Sequence, residues 1–501
     1  MKKSLLFLSA VLLASTAHAG FTETVDHAFQ VVNDWVKSVF FFNILFFVPG
    51  VDLPLVLAWL LAGALFFTIY LRFFNLRGFK HAIDLTLGHY DVDGAKGDVN
   101  HMKALAAALS GTLGLGNISG VAIAIASGGP GAAFWIWIAG FIGMSSKFAE
   151  CTLAQMYREK RADGVILGGP MLYLEKGFAK RGYVRLGKFL SVTFALICIL
   201  GTYGGGGAFQ VNQSLYALGE MMPFWLTYKW LYGLILAVLV AVVTIGGIRR
   251  IANVAIKVVP FMCISYLLMG AVVIAVDSAA VPHAMWLIVS QAFHPEAMYG
   301  GALGVLMLGF RRAAFSNEAG IGSASIAHST AKVVNPVEEG TVSLLEPFID
   351  TVVICTMTSL VLVITGAYNN PEYSNLIHGD NGAALTLRAF GTVSSYFPIM
   401  MCLIVFLFAF CTVISWSYYG ERCFTYLFGE KYNIIYNILL VTVLFLGAIA
   451  SSTHIMDFGD YMILGMGFPN LIGVFVMRRE ILDALNKYWE RLKSGKMQRT
   501  Q

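Results

Sequence analysis

Long apolar runs recur along almost the whole of this chain, at about residues 54–71, 102–127, 131–157, 188–218, 224–246, 251–276, 282–310, 341–367, 393–420, 433–451 and 457–477. A helix needs about 20 apolar residues to cross a bilayer, and in lipid every backbone N–H and C=O must find its partner within the protein. The runs therefore predict an all-α polytopic membrane protein of about eleven transmembrane helices, with a transmembrane domain over 54–480 and no soluble domain. Composition agrees, since only 13% of residues are charged, against about 25% in soluble domains.

The first nineteen residues, "MKKSLLFLSAVLLASTAHA", join Lys2 and Lys3 to a short apolar core and the small-x-small site Ala17-His18-Ala19. This is the pattern of a cleaved bacterial signal peptide over 1–19. Residues 20–53 mix apolar and charged positions and read as a periplasmic amphipathic segment, while 481–501 read as a basic cytoplasmic tail. With the mature N-terminus outside, the inward gaps collect Arg72, Arg77, Lys80 and Lys96, then Arg158, Lys160 and Arg161, then Arg249 and Arg250, then Arg311, Arg312 and Lys332, then Arg422 and Lys431. The outward gaps hold little beyond Lys229 and Arg388. That bias places the chain in a bacterial inner membrane with its C-terminus in the cytoplasm, and it assigns the net charge of +5 to topology rather than to a nucleic-acid partner. Seven cysteines without paired spacing read as small buried side chains rather than disulfides or metal ligands.

Leaving out the run at 54–71, ten helices split into two groups of five that start from opposite sides, the arithmetic of inverted repeats. Such repeats hold their substrate near the bilayer midplane, at helices that are interrupted. The first helix of each five should carry the interruption. In the first it falls in "GTLGLGNISGVAIAIASGGPGAAFWIW", Gly111 to Trp137, and in the second at His294-Pro295 and Gly300-Gly301.

The quoted glycine-rich stretch, with Gly114, Gly116, Asn117, Gly120 and Gly128 to Ala132, resembles the signature of the alanine or glycine:cation symporter family. "FRRAAFSNEAGIGSASIAHS" (Phe310–Ser329) and "FAFCTVISWSYYGER" (Phe408–Arg422) are similar to that family too, and the resemblance runs from about Leu55 to Arg479. It implies sodium-coupled uptake of a small neutral amino acid, alanine or glycine, with sodium as the coupling ion and no other cofactor.

The residues can also be read on their own chemistry. Glycines at 114 and 116 let the chain leave helical geometry, freeing amides to meet a carboxylate and carbonyls to meet a cation. Close helix packing is the alternative, and it leaves Asn117, which can donate to a carboxylate or offer oxygen to sodium, without a role. Gln210 follows four consecutive glycines and is either a substrate contact or a bond between helices; the resemblance favours the first. Thr412, Ser415 and Trp416 share one helix face. Hydroxyls there could coordinate sodium together with the broken helix, giving the set Ser110, Leu113, Thr412 and Ser415, with Trp416 walling the pocket. Alternatively the hydroxyls bond to their own helix's carbonyls. Glu150, Glu346 and Asp350 lie within apolar runs and either carry a proton or cation or sit near an interface beside Arg311 or Arg312. Ser316–Ser323, "SNEAGIGS", reads as a cytoplasmic elbow that gates the inner exit or as a capped turn.

Other classes fit less well. The chain has no HExxH, GxSxG or P-loop motif, so neither zinc or serine hydrolysis nor ATP-driven transport is indicated. A channel filter ordinarily forms around a symmetry axis, whereas the polar residues here converge within one chain. A proton-coupled carrier or a substrate-sensing receptor remains an alternative. The signal reading makes one prediction: the mature protein purified from its host begins near Gly20, and an intact Met1 by mass spectrometry would refute it.

Overall fold

The structure, a computed structural model, describes residues 53–497 apart from 93, 162–165, 246, 294–300 and 451, together with scattered positions between 27 and 46. The expected signal peptide at 1–19 and the expected breakers from His294 to Gly300 lie outside the described residues. Among those described, seven helices are long and apolar enough to cross a membrane, or eight when one bent pair is counted as a single span. Two shorter apolar helices, Leu55–Tyr70 and Lys229–Thr244, add to these. The only strands among the described residues are the two-residue pair Glu159–Lys160 and Ile166–Leu167.

The elements that position the site are few. Helix α1 (His101–Thr112) begins at Asn100, whose side chain accepts from the Lys103 amide, and stops at Leu113. Helix α2 (Gly116–Gly128) resumes after a bend of 51°. Helices α3 (Gly131–Tyr157) and α4 (Val184–Met221) follow, the latter with a π-helical turn at Gly204–Ala208. Helix α5 (Gly301–Asn317) is separated from the short α6 (Ala324–His328) by a second break at 318–323. There Glu318, Gly320 and Gly322 all take positive φ, at 56°, 82° and 95°. Two glycines make that path cheap, and Glu318 is held in it by its surroundings. Helices α7 (Pro336–Ile364) and α8 (Phe397–Phe428) complete the surround.

Gly128, Gly120 and Gly116 of α2 face Leu308, Arg312 and Phe315 of α5 in that order, so the two helices run antiparallel. This is the relation that inverted repeats demand of their first helices.

Two sequence expectations need correction. The "SNEAGIGS" elbow is a break between α5 and α6, at 318–323, rather than a loop at one end. Arg311 and Arg312 do not share a gap with Lys332. Helix α5 carries them onto the α2 side of the break, where Arg311 pairs with Asp460 at 2.8 Å and Asp457 at 3.4 Å, and Arg312 with buried Asp460. Lys332 lies at the opposite end, before α1, where its amide donates to the Val99 carbonyl at 2.7 Å and Arg158 binds the carbonyls of Lys96, Ser329 and Ala331. The charge count treats each arginine as solvated, and a buried aspartate distant in sequence removes that premise.

At the Asp460 end, the Phe41 ring packs against Tyr461 with centroids 4.4 Å apart and planes tilted by 60°, and Asn33 donates to the His454 carbonyl, so these two residues dock there. The C-terminal stretch forms helix α9 (Arg478–Lys493), which buries Ile481, Leu485 and Tyr488. Tyr488 and His81 are hydrogen-bonded at 2.7 Å.

Burial pushes the His81 imidazole down to about 4, with Asp84 pulling the other way. A ring that stays neutral when docked stabilises the docked state fully above its ordinary value of about 6.5, and that stabilisation is lost as pH falls toward the folded value. Spin-label distances between α9 and the Phe79–Thr86 helix should therefore hold steady at neutral pH and lengthen as pH drops below about 6. His81→Phe should flatten that dependence.

Candidate functional site

The first break leaves backbone groups without helical partners, and side chains distant in sequence take them up. The Leu115 amide donates to Gln210 Oε1 at 2.9 Å, and the Gly114 amide donates to Asn117 Oδ1 at 3.1 Å. Gln210 is fixed from behind, since its Nε2 donates to the Gly205 carbonyl at 2.9 Å across the π-turn of α4. On the facing helix, Thr412 Oγ1 lies 3.4 Å from the Leu113 carbonyl. One turn further along, Ser415 Oγ donates to the Ala107 carbonyl at 3.0 Å and meets Ser110 Oγ in a short hydrogen bond.

The second break is held by a different set. Lys147 Nζ donates to the Glu318 carbonyl at 3.2 Å, and Asn470 Nδ2 to that of Gly320 at 2.8 Å. The Glu318 carboxylate accepts from Trp416 Nε1 at 2.9 Å and from Ser323 Oγ. Trp416 is only 1% exposed, and its ring lies flush against α4: a Cβ on Gly206 would come within 2.4 Å of it.

Between the two breaks lies a narrow cavity of about 10 Å³, room for about one water, lined by Gly111, Thr112, Gly114, Gly116, Gly205, Gln210, Phe315, Ser316, Glu318, Thr412, Trp416 and Ile463. Of the residues expected from sequence, Gly114, Gly116, Gln210, Thr412 and Trp416 line it. Ser110, Leu113, Thr412 and Ser415 gather on the α1–α8 seam beside it. Asn117 faces away from the pocket. Its Nδ2 donates to Asp350 Oδ1 at 2.6 Å and to the Asp350 carbonyl at 3.0 Å, so it braces the break against α7.

Sequence reasoning missed Phe315, Ser316, Glu318 and Ile463. A signal for Glu318 was present, since an acidic residue ahead of two spaced glycines at the end of an apolar run is what a second break looks like. The buried acids also take partners other than the expected arginines. Lys147 lies 3.5 Å from Glu346 and 3.7 Å from Glu150, while Asp350 accepts from Asn117, Ser316 and Thr351. Among the described residues, no group of three or more His, Cys, Asp or Glu is arranged to hold a metal ion, and all seven cysteines are free and buried.

Two antiparallel broken helices enclosing a small pocket with displaced backbone groups define a membrane transporter. The chain belongs to the sodium:alanine symporter family, whose profile matches residues 33–501. It is 37% identical to the "Sodium/alanine symporter AgcS" of Methanococcus maripaludis, over 87% of this chain and 94% of that protein. It is 34% identical to the "Probable sodium/glutamine symporter GlnT" of Bacillus subtilis, over 88% and 89%. Among solved structures, that of MhsT in complex with L-phenylalanine matches with a TM-score of 0.51 at 13% identity, covering 78% of this chain and all of that one, which is a likeness of fold. The chain is a transporter and not an enzyme.

The geometry ranks the glycines. A Cβ on Gly114 would lie 2.6 Å from Thr412 Oγ1 and 3.1 Å from Gln210 Oε1, whereas on Gly116 the nearest atom is a Phe315 ring carbon at 3.1 Å. Overpacking of the first kind costs about 1–3 kcal/mol, or about five- to 150-fold in affinity. Gly114→Ala should therefore weaken substrate binding by about tenfold or more, and Gly116→Ala by clearly less. Scintillation proximity binding to purified protein reads both, and equal affinities would contradict the ranking.

Proposed function

We propose that this protein is a secondary active symporter that couples sodium entry to uptake of a small neutral amino acid, alanine or glycine, by alternating access. The observation that carries this reading is the cluster of neutral oxygens beside the pocket: the Leu113 and Ala107 carbonyls with the Ser110, Thr412 and Ser415 hydroxyls. A hard monovalent cation calls for carbonyl and hydroxyl oxygens without thiolates or imidazoles, and these five groups come from both sides of the seam that a cation would bridge. The names of the relatives as sodium symporters support the same ion.

The substrate carboxylate binds at the amides of the first break, displacing the Gln210 oxygen from the Leu115 N–H, and Glu318 and Ser316 face the other end of the pocket. Trp416 and Phe315 wall the side-chain end against glycine backbone, which supports alanine or glycine over the glutamine in the name of one relative. In this reading the N-terminus lies outside a bacterial inner membrane and α9 lies in the cytoplasm. Movement of the α2 and α5 halves against α1 and α6 opens the pocket alternately to each side.

Proteoliposomes provide the test. An inward sodium gradient should concentrate labelled alanine, a potassium gradient at equal pH and voltage should not, and leucine should compete far less well than alanine. Equal accumulation with either cation would overturn sodium coupling, and competition by leucine as strong as by alanine would overturn the pocket.

A further inference from the structure

The mechanism above uses Glu318 but not the row of buried titratable groups that leads away from it. Lys147 Nζ, on the Glu318 carbonyl, lies 3.5 Å from Glu346 Oε1. Glu346 Oε2 is 3.1 Å from His328 Nε2, and the other nitrogen of that ring, Nδ1, is 2.7 Å from Glu339 Oε1. Glu339 Oε2 is 2.5 Å from His101 Nδ1, and His101 Nε2 is 4.0 Å from Asp91. His101 and Asp91 line an open cavity together with Glu338 and Lys332, at the end of the molecule that holds Lys96 and Arg158. Lys147, Glu346, His328 and Glu339 are fully buried, while the Asp91 side chain is half exposed. An unbroken hydrogen-bonded row thus runs from that cavity to Glu346, one ammonium away from the pocket wall.

We propose that His328 and Glu346 form a proton-binding site, filled through His101 and Glu339 from the Lys96 and Arg158 face, whose proton is released when the pocket loads. Two arguments carry it. The first is connectivity: each imidazole is bonded on Nδ1 to one carboxylate and faces a second acid through Nε2, so a proton accepted on one nitrogen can leave from the other without the ring turning. The second is charge. The row and its branch hold four carboxylates, Glu150, Glu318, Glu339 and Glu346, and one fixed ammonium, Lys147, which faces all of them but Glu339. Two imidazoliums still leave one carboxylate over, and uncompensated charge at this depth is expensive. A proton balances it while the pocket is empty, and the substrate ammonium at the Glu318 end of the pocket balances it afterwards. The proton passes to water at the Asp91 cavity, so no other reactant is needed.

The other charged groups facing these residues do not close the account. Arg158 adds one positive charge toward Glu339 but faces Asp98 as well, Glu338 and Asp91 add negative charge near His101, and Asp350 adds it near Glu346.

This inference rests on the pocket's binding an amino acid with its ammonium toward Glu318, and the experiment separates the two. Calorimetry of alanine binding in saturating sodium, with purified full-length protein at pH 7 in buffers of different ionisation enthalpy, should show release approaching about one proton per alanine in the wild type. His328→Gln and Glu346→Gln, which keep hydrogen-bonding capacity, should still bind alanine while release falls to near zero. In stopped flow with a pH indicator, His101→Asn should slow the release about tenfold or more without changing its extent. Buffer-independent heats in the wild type, or undiminished release in both glutamine variants, overturn the site, and an unchanged rate in His101→Asn overturns the route. The absence of any alanine heat in the wild type would instead overturn the pocket itself.

Discussion

In a bilayer an interrupted helix must find new partners for every backbone group it releases, and the remainder of this structure is arranged around that requirement. An unbonded amide or carbonyl there costs several kcal/mol. At the first break the Leu115 amide goes to Gln210, the Gly114 amide to Asn117 and the Leu113 carbonyl to Thr412. At the second, the Glu318 carbonyl goes to Lys147 and that of Gly320 to Asn470. These partners come from α4, α2, α8, α3 and the Gly467–Val476 helix, so two short irregular stretches fix the relative positions of most of the bundle. The polar residues inside this membrane protein are where the breaks need them.

The buried charges obey the same logic one layer out. Lys147 is placed at the centre of the bundle between Glu346 and Glu150, and its Nζ also holds the Glu318 carbonyl. Arg312 is carried inside α5 because Asp460 meets it. Removing either partner leaves a charge uncompensated at depth, which costs far more than the pair gains over an apolar replacement. These pairs therefore bear on specificity of arrangement more than on net stability. Lys147 ties α3 to α7 and to the second break, and Arg312 ties α5 to the Ser452–Gly465 helix.

What could be read from the sequence follows from whether a signal is local. Apolar runs and the Gly114-Leu115-Gly116-Asn117 interruption are local, since length, hydropathy and glycine spacing are enough to mark them, and the first break stands where they place it. Gln210, Thr412 and Trp416 were also accessible, because a polar or indole group in an apolar helix needs a partner. The signal of the break at 318–323, Glu318 ahead of Gly320 and Gly322, was outweighed by its neighbours. Arg311-Arg312 looks like the edge of a loop, and only Asp460, almost 150 positions away, shows that the helix continues through them. Asn117 was identified as important, but its direction was not readable, because the choice between pocket and Asp350 depends on where α7 packs.

The three π-helical segments among the described residues, Gly116–Gly120, Gly204–Ala208 and Phe348–Cys355, bring these strands together. A π-turn inserts one residue into the helical register and leaves a carbonyl poorly matched to the helix's own amides, at some cost to the helix. Each of the three lies against the pocket or its brace. The turn at 204 offers the Gly205 carbonyl to Gln210, which then has its oxygen free for the first break. The turn at 348 presents Asp350 to Asn117 and Ser316, one residue from each broken helix. The turn at 116 contains Asn117 itself. A regular α-helix at any of these places would rotate its contact side chain by about 100° and unseat the pair it serves. The glycines in the first two turns are therefore needed for close approach, of Phe315 to Gly116 and of Trp416 to Gly206, and the two breaks are held in register through helices that are themselves locally irregular.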